Sequence, residues 1–501
     1  MSGSPMAITS GGVLNIVSNN NFLYNVLSNA GTVTMSGNGG LYLANNNSSV
    51  FGGIYNLAGA LWDIQTNTSI YDDGYGYEFF NNAGELRKSG GSGTAVIYVP
   101  FTNSNAGTLT NLSGMLSFEG GGTLIGGYDT ALGATIDFAA GSFTVGVLPA
   151  ITGAGLCEFT GATLTLKSNI PPDLVIADGN LVLGPAFQQS GEITNLTLTG
   201  PTLIGTNKVA GTMVLGGGTL PGPLIIESGG VLNIASNNNF LYNVLSNAGT
   251  VTMSGNGGLY LANNNSSVFG GIYNLAGALW DIQTNASIYD DGYGYEFFNN
   301  AGDLRKSGGS GTSVIYVPFT NTGTANALLG TLSFNNTFTS AGGTLAFGVS
   351  GLSSFGKINV SGNVALNGTA SVTWLDGFVP AIGNSFDLLD YGSHSGTFAS
   401  ITFASGFLGQ GNYGNTVFSV SITGTGTQTN APILSIERES PIIVVLSWPT
   451  SASGFDLQTR TNLTSGTWSN ILLNGIVTVG TNFVLTNTVN GKEAFFRLQS
   501  Q

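Results

Sequence analysis

Over the first 345 residues, apolar side chains recur at every second position in short runs such as GVLNIVS, GTVTMSG, GGLYLAN, GALWDIQ, GTAVIYVPF and GMLSFEGG, each bounded by glycine. A period of two over four to six residues is the pattern of a half-buried strand. Helical periodicity is nearly absent, and residues 22–29, FLYNVLSN, form the only stretch expected to support a helical turn or two. A longer spacing overlies the first. The pattern Asn-(x)-Ala-Gly returns with its glycine at Gly31, Gly59, Gly84 and Gly107, at intervals of 28, 25 and 23 residues. Such intervals suit one coil of a parallel β-solenoid. A sandwich would need tight hairpins between neighbouring strands, and Asn-Gly or Asp-Gly pairs between alternating runs are few. Stacked coils also bring like residues into register, so asparagine ladders and aromatic stacks are expected.

A whole block of this pattern is copied. Residues 11–103 return 218 positions later as 229–321, with four differences: Val17/Ala235, Thr68/Ala286, Glu85/Asp303 and Ala95/Ser313. A block that can be repeated intact is a segment of a modular array. At about 22 residues per coil the offset corresponds to about ten coils, and stacking at ~4.8 Å per coil separates the copies by about 50 Å.

FNNAGELRKSGGSGTAVIYVPFTNSNAGTLTNLSGMLSFEGG, residues 80–121, resembles the coils of large secreted bacterial β-helix proteins of the autotransporter-passenger type. Residues 342–398 are similar to the terminal rungs of such passengers. The final segment 446–499, with LSWPTSASGFDLQTRTNLTSGTWSN, resembles a small β-sandwich module at the C-termini of secreted proteins of Verrucomicrobia-like bacteria. The resemblance implies export and architecture; it carries no catalytic motif, and no translocator barrel of outward-alternating strands follows the passenger-like region. The fold expected is all-β: a right-handed parallel β-helix over residues 1–423, a linker at 424–432 within the Gly/Thr-rich TGTGTQTNAP, and an antiparallel β-sandwich at 433–501. The right hand follows from the resemblance and from the general handedness of parallel crossovers. The sandwich is expected to form around Trp448, Phe455, Trp468, Phe483, Phe495 and Phe496, in five strand-like runs.

Composition narrows the partners. Charged residues are 7% of the chain, where roughly 25% is usual, yet a mean hydropathy of +0.24 with 29 Phe and 17 Tyr supplies a core. A net charge of −14, from 25 acidic and 11 basic residues, argues against nucleic acid as a partner. No apolar run approaches the ~20 residues of a membrane-spanning helix. The opening MSGSPMAITSGGVLNI has neither the basic nor the apolar region of a signal peptide, so export is expected through a leader absent from this sequence or by another route. A single cysteine, Cys157, excludes an internal disulfide framework and alternates with apolar neighbours as a core residue would. The only histidine, His394, lies in the loop-like YGSHSGTF without a nucleophile elbow beside it.

One acidic and aromatic cluster stands out, IYDDGYGYEFF. It supplies Asp72, Asp73, Tyr75, Tyr77 and Glu78 in the first copy and Asp290, Asp291, Tyr293, Tyr295 and Glu296 in the second. The carboxylates Asp72, Asp73, Glu78, Asp290, Asp291 and Glu296 could bind calcium, a cofactor the fold does not require, and the tyrosines could stack on sugar rings. The simpler alternative is an Asp-Gly turn between rungs with tyrosines covering an edge. Arg87, Lys88, Arg305 and Lys306 are the basic pairs available to a lyase. Glycosidase carboxylates sit ~5–10 Å apart, so two clusters about 50 Å distant cannot form one active site. Three readings stay open: a secreted or cell-surface structural or adhesive rod without catalysis, a polysaccharide lyase or hydrolase, and a glycan- or ice-binding module. The last would need a flat Thr or Asn array, for which residues 195–203 are too short. The first reading expects an extended polysaccharide or cell-surface partner engaged by both copies at once, with avidity, and allows end-to-end self-association.

Overall fold

The computed structural model describes residues 4–17, 19–47, 49–236, 238–265, 267–292, 294–404, 406–425, 432–452, 455–462, 467–471, 475–489 and 494–500. Tyr293 and most of the expected linker lie outside these, and Thr425 still belongs to the strand Val417–Thr425. Among the described residues there is no α-helix, and the single helical turn is the 3₁₀ segment Thr450–Ala452. The chain forms two compact units, one of Met1–Ala404 with Gly409–Ile422 and one of Ser405–Leu408 with Thr423–Gln501.

The larger unit is a parallel β-helix. Each full coil contributes three short strands to three faces, taken here in the order the chain visits them. In one coil these are Phe79–Asn82, Glu85–Lys88 and Thr94–Ile97, and each pairs in parallel with its counterparts in the coils on either side. Alternation decides what is buried. Leu27, Ile54, Phe80 and Phe101 stack in register inside the first face, and Val33, Trp62, Leu86 and Leu109 inside the second. All are at most 1% exposed. Residues 22–29, expected to support a helical turn, are instead the strands Asn21–Leu23 and Val26–Asn29 with a corner between them. Leu23 and Leu27 fall on the inner side of two different faces, and the stacking of whole coils overrides any local helical preference.

The Asn-(x)-Ala-Gly motif marks a corner where the first face turns into the second. Asn29, Asn56 and Asn82 of the motif are buried together with Asn103, two residues before the last motif, and the Nδ2 of each of the first three donates to the Oδ1 of the next asparagine at 2.8 Å. All four Nδ2 groups also donate to the backbone carbonyls of Leu61, Glu85, Thr108 and Gly127 at 2.9–3.1 Å. A primary amide has the donors and the acceptor to continue such a ladder without limit. The glycine beside it is required by proximity: a Cβ at Gly84 would lie 2.3 Å from the carbonyl oxygen of Ala60.

The second copy repeats these strands but not their place. Ten steps along the first-face ladder lead from Val26–Asn29 through Gly53–Asn56, Phe101–Asn103, Thr163–Leu166 and Gly218–Leu220 to Asn239–Leu241. Asn239–Leu241 is the copy of Asn21–Leu23, which in the first block pairs with Leu41–Leu43 on the third face. The copy of Val26–Asn29 is Val244–Asn247, which stacks on Leu224–Ile226 instead. The offset of 218 residues is therefore ten coils and one further face, so every feature of the block reappears turned by one face about the solenoid axis. The turn arises between the blocks, where the coils are irregular and the long strand Asn207–Leu215 pairs with both Leu224–Ile226 and Val231–Ile234.

The last coils lose the regular pattern. The strand Ser385–Gly396 pairs in parallel with Lys357–Leu366 on one side and antiparallel with Val417–Thr425 on the other, which covers the final edge of the first-face ladder. Among its described residues the smaller unit pairs only antiparallel strands, with one sheet of Ser435–Ser440, Ile443–Pro449, Asn482–Thr488 and Val477–Val479 and another of Ser469–Asn470, Phe455–Arg460 and Phe495–Ser500. These are seven strands where five runs were expected. Its core is Leu446, Trp448, Ala452, Leu457 and Leu485, with Phe455, Phe483 and Phe496 packed on it. Trp468 lies outside that core, with the guanidinium carbons of Arg497 and Arg460 at 4.4 and 5.3 Å from its ring centroid.

Candidate binding surfaces

The acidic cluster of the first copy is the connection from the third face at Ile70–Tyr71 to the first face at Phe79–Asn82. Gly74 and Gly76 have φ of 82° and 86°, a backbone region that favours glycine, and this lets the loop double back over the preceding coil. Asp73 Oδ2 accepts the backbone N–H of Asn45 at 2.6 Å, and its Oδ1 accepts that of Tyr75 at 3.2 Å. The buried Glu78 turns Oε2 back onto the N–H groups of Gly76 and Tyr77 at 3.1 and 2.9 Å. Three of the four oxygens of this pair are thus occupied in holding the loop. Burial, reinforced by the neighbouring Asp73 carboxylate, raises the Glu78 carboxyl above its ordinary value despite those N–H donors. Asp72 is exposed, Tyr75 is 73% exposed, and Tyr77 stacks on Phe51 with ring centroids 5.7 Å apart.

The second copy is built alike. Asp291 Oδ2 accepts the N–H of Asn263, Glu296 Oε2 accepts those of Gly294 and Tyr295, and Glu296 Oε1 takes the Asn263 amide at 3.0 Å. Tyr295 stacks on Phe269 at 5.8 Å, and Asp290 ends the strand Ile288–Asp290. Among the described residues, no group of three acidic, histidine or cysteine side chains is arranged to hold a metal ion.

The basic residues Arg87 and Lys88 belong to the second face, their copies Arg305 and Lys306 to the third, and each has its own partner. Arg87 Nε and Nη2 reach the two carboxylate oxygens of Asp63 at 3.2 and 3.1 Å, and Arg305 holds Asp281 in the same way at 3.2 and 2.8 Å. Burial pushes Asp63 and Asp281 up, but hydrogen bonds from arginine, glutamine and serine outweigh it and leave both below the usual carboxylate range. Lys88 is fully buried, and its Nζ donates to the carbonyls of Gly90, Gly91 and Ser113 at 2.5–2.9 Å. Lys306 Nζ donates to the carbonyls of Thr284 and Gly308, both at 2.7 Å, and burial lowers its pKa to about 8.

His394 lies within the strand Ser385–Gly396 rather than in a loop, between Tyr391 and Tyr413, with Nδ1 3.3 Å from the Gly396 carbonyl. Cys157 is buried, and burial pushes its thiol up to about 12. The outward aromatics of the third face form a ladder, Phe22–Tyr42–Tyr71–Tyr98, with centroids 5.1, 4.7 and 5.1 Å apart. Each ring face is covered by the next ring, so the ladder offers edges rather than platforms to a sugar.

Sequence reasoning missed a further surface. On the outside of the first face Thr102, Thr123, Thr144 and Thr165 occupy one register column, continuing Ser28, Tyr55 and Asn81. The signal was present: the four threonines stand 21 residues apart, three times in succession.

No family model matches this chain, and a search of curated proteins returned no match. Its class is therefore defined by its own architecture, a parallel β-helix joined to a small antiparallel β unit.

Proposed function

We propose that this chain is a non-catalytic structural or adhesive β-helix of the cell exterior, which displays one duplicated surface on two of its sides toward an extended polysaccharide or a cell-surface partner. The observation that carries the reading is the one-face turn between the two copies. Copies placed in phase would let one straight partner run over both, with gain in avidity. Copies turned by one face suit engagement of two partners, so bridging replaces the avidity expected from the repeat alone. The state of the ionisable groups supports the absence of catalysis. A lyase needs a free base, whereas Arg87 and Arg305 are held by aspartates and Lys88 and Lys306 by carbonyls. The carboxylates of the acidic strip serve mainly to pin their loop, which leaves Asp72 and Tyr75 as its outward features in the first copy.

Full-length protein incubated with neutral and acidic polysaccharides, with and without calcium, is expected to release neither reducing ends nor unsaturated uronides. Turnover that disappears in an Asp73→Ala/Asp291→Ala variant of unchanged fold would replace this reading with a polysaccharide-active enzyme.

A further inference from the structure

We infer that the outer surface of the first face is a binding strip for an extended neutral glycan, such as a β-linked glucan, lying parallel to the solenoid axis. This deepens the adhesive reading above and rests on it. The first observation is charge. Ten successive strands of this face in the first half, from Val26–Asn29 to Gly218–Leu220, contain no Asp, Glu, Lys or Arg. The second face carries Asp63, Glu85, Arg87, Lys88 and Asp129, and the third carries Asp137 and Glu158. In a chain of net charge −14, the first half of this face has been left electrically neutral in its strands. A neutral polyol meets no repulsion there, and an anionic glycan finds no cation to offset its desolvation.

The second observation is free hydrogen-bonding capacity at a regular pitch. Thr102, Thr123, Thr144 and Thr165 are half-buried, and none of their hydroxyls bonds to another described group. Successive rungs place them ~4.8 Å apart, close to the length of one pyranose residue in an extended chain. Beside them Ser142, Thr163, Asn180, Thr202 and Thr219 form a second polar column two positions away on the same face.

The third observation is a groove at the start of the strip. A cavity of about 310 Å³ is lined by Tyr55, Leu57, Asn81, Ala83, Thr102 and Ser104, and its exposed surface is mostly apolar. Tyr55 and Leu57 are each 41% exposed. An apolar wall beside an amide and hydroxyls suits a pyranose ring, whose faces are apolar and whose rim is polar. The second copy rebuilds this end of the strip as Tyr273, Asn299, Thr320 and Thr339 in register, with Tyr273 and Leu275 each 40% exposed. Because that copy is turned by one face, the two strips look in different directions, and one molecule can hold two glycan chains.

The test uses full-length protein, with insoluble cellulose as the neutral probe, polygalacturonate as the anionic one, and reducing-end release followed throughout. The inference expects binding to cellulose and none to polygalacturonate. Thr→Val at positions 102, 123, 144, 165, 320 and 339 exchanges only hydroxyls for methyls at outward strand positions and should weaken cellulose binding at least about tenfold. Thr→Ser at the same positions should restore most of it. Valines at the first four positions alone should leave binding through the second strip but abolish bundling of cellulose fibrils. Tyr55→Ala with Tyr273→Ala checks the groove independently should the valine variant fail to fold. Equal binding by a folded valine variant, a preference for polygalacturonate, or inhibition of ice growth without glycan binding would each overturn the strip. Cleavage of cellulose would sink the non-catalytic reading while leaving the strip in place; absence of both binding and cleavage would sink the strip alone.

Discussion

Asn56 shows how much one side chain carries in this fold. It accepts from Asn29, donates to Asn82 and donates again to the carbonyl of Glu85, all within a corner only 1% exposed. Asn56→Ala leaves two amides and a carbonyl with unmet bonds away from water, and the expected loss is about 3 kcal/mol of unfolding free energy. Chemical denaturation of the variant against wild type measures it. The Asn-(x)-Ala-Gly spacing was legible in the sequence because each asparagine is tied to a glycine by the same tight corner. The threonine column left only its even 21-residue spacing, which is easily passed over because a hydroxyl that bonds to no other described group has no local companion motif and its neighbours in space lie a full coil away along the chain.

At the scale of strands and coils, adjacent rungs of the second face are joined by Asp63–Arg87 and, one block later and one face round, rungs of the third face by Asp281–Arg305. Both aspartates have folded-state pKa values below the ordinary carboxylate value, so their contribution to stability is fully present above that value and is lost as pH falls through the folded-state value. The stability difference between wild type and Asp63→Asn/Asp281→Asn should therefore be constant near neutrality and shrink as pH drops below about 4. A difference that stays level into acid would contradict the assignment. The strands were legible from period-two alternation wherever it persists, as in Thr94–Ile97. It failed to identify residues 22–29 because strands of three and four residues separated by a two-residue corner imitate a helical period, and it gave no warning of the antiparallel closure by Val417–Thr425. Pairing partners so distant leave no mark on local periodicity.

For the β-helix as a whole, the duplicated block announces itself in the sequence, but its orientation does not. About ten coils could be inferred from length, and the extra face depends on the irregular coils between Asn180–Leu183 and Leu224–Ile226, where strand lengths vary and no repeat can be counted. That extra face decides whether one partner or two can meet both copies, so it is the claim on which the functional account turns. Paired cysteines at the junction test it directly. Thr219 and Phe240 lie opposite each other on neighbouring parallel strands, a separation that suits a disulfide. In an in-phase arrangement the residue below Thr219 would be Val244, the copy of Val26. The account predicts that Thr219→Cys/Phe240→Cys closes a disulfide under mild oxidation whereas Thr219→Cys/Val244→Cys remains reduced; efficient closure of the second pair and not the first would contradict it.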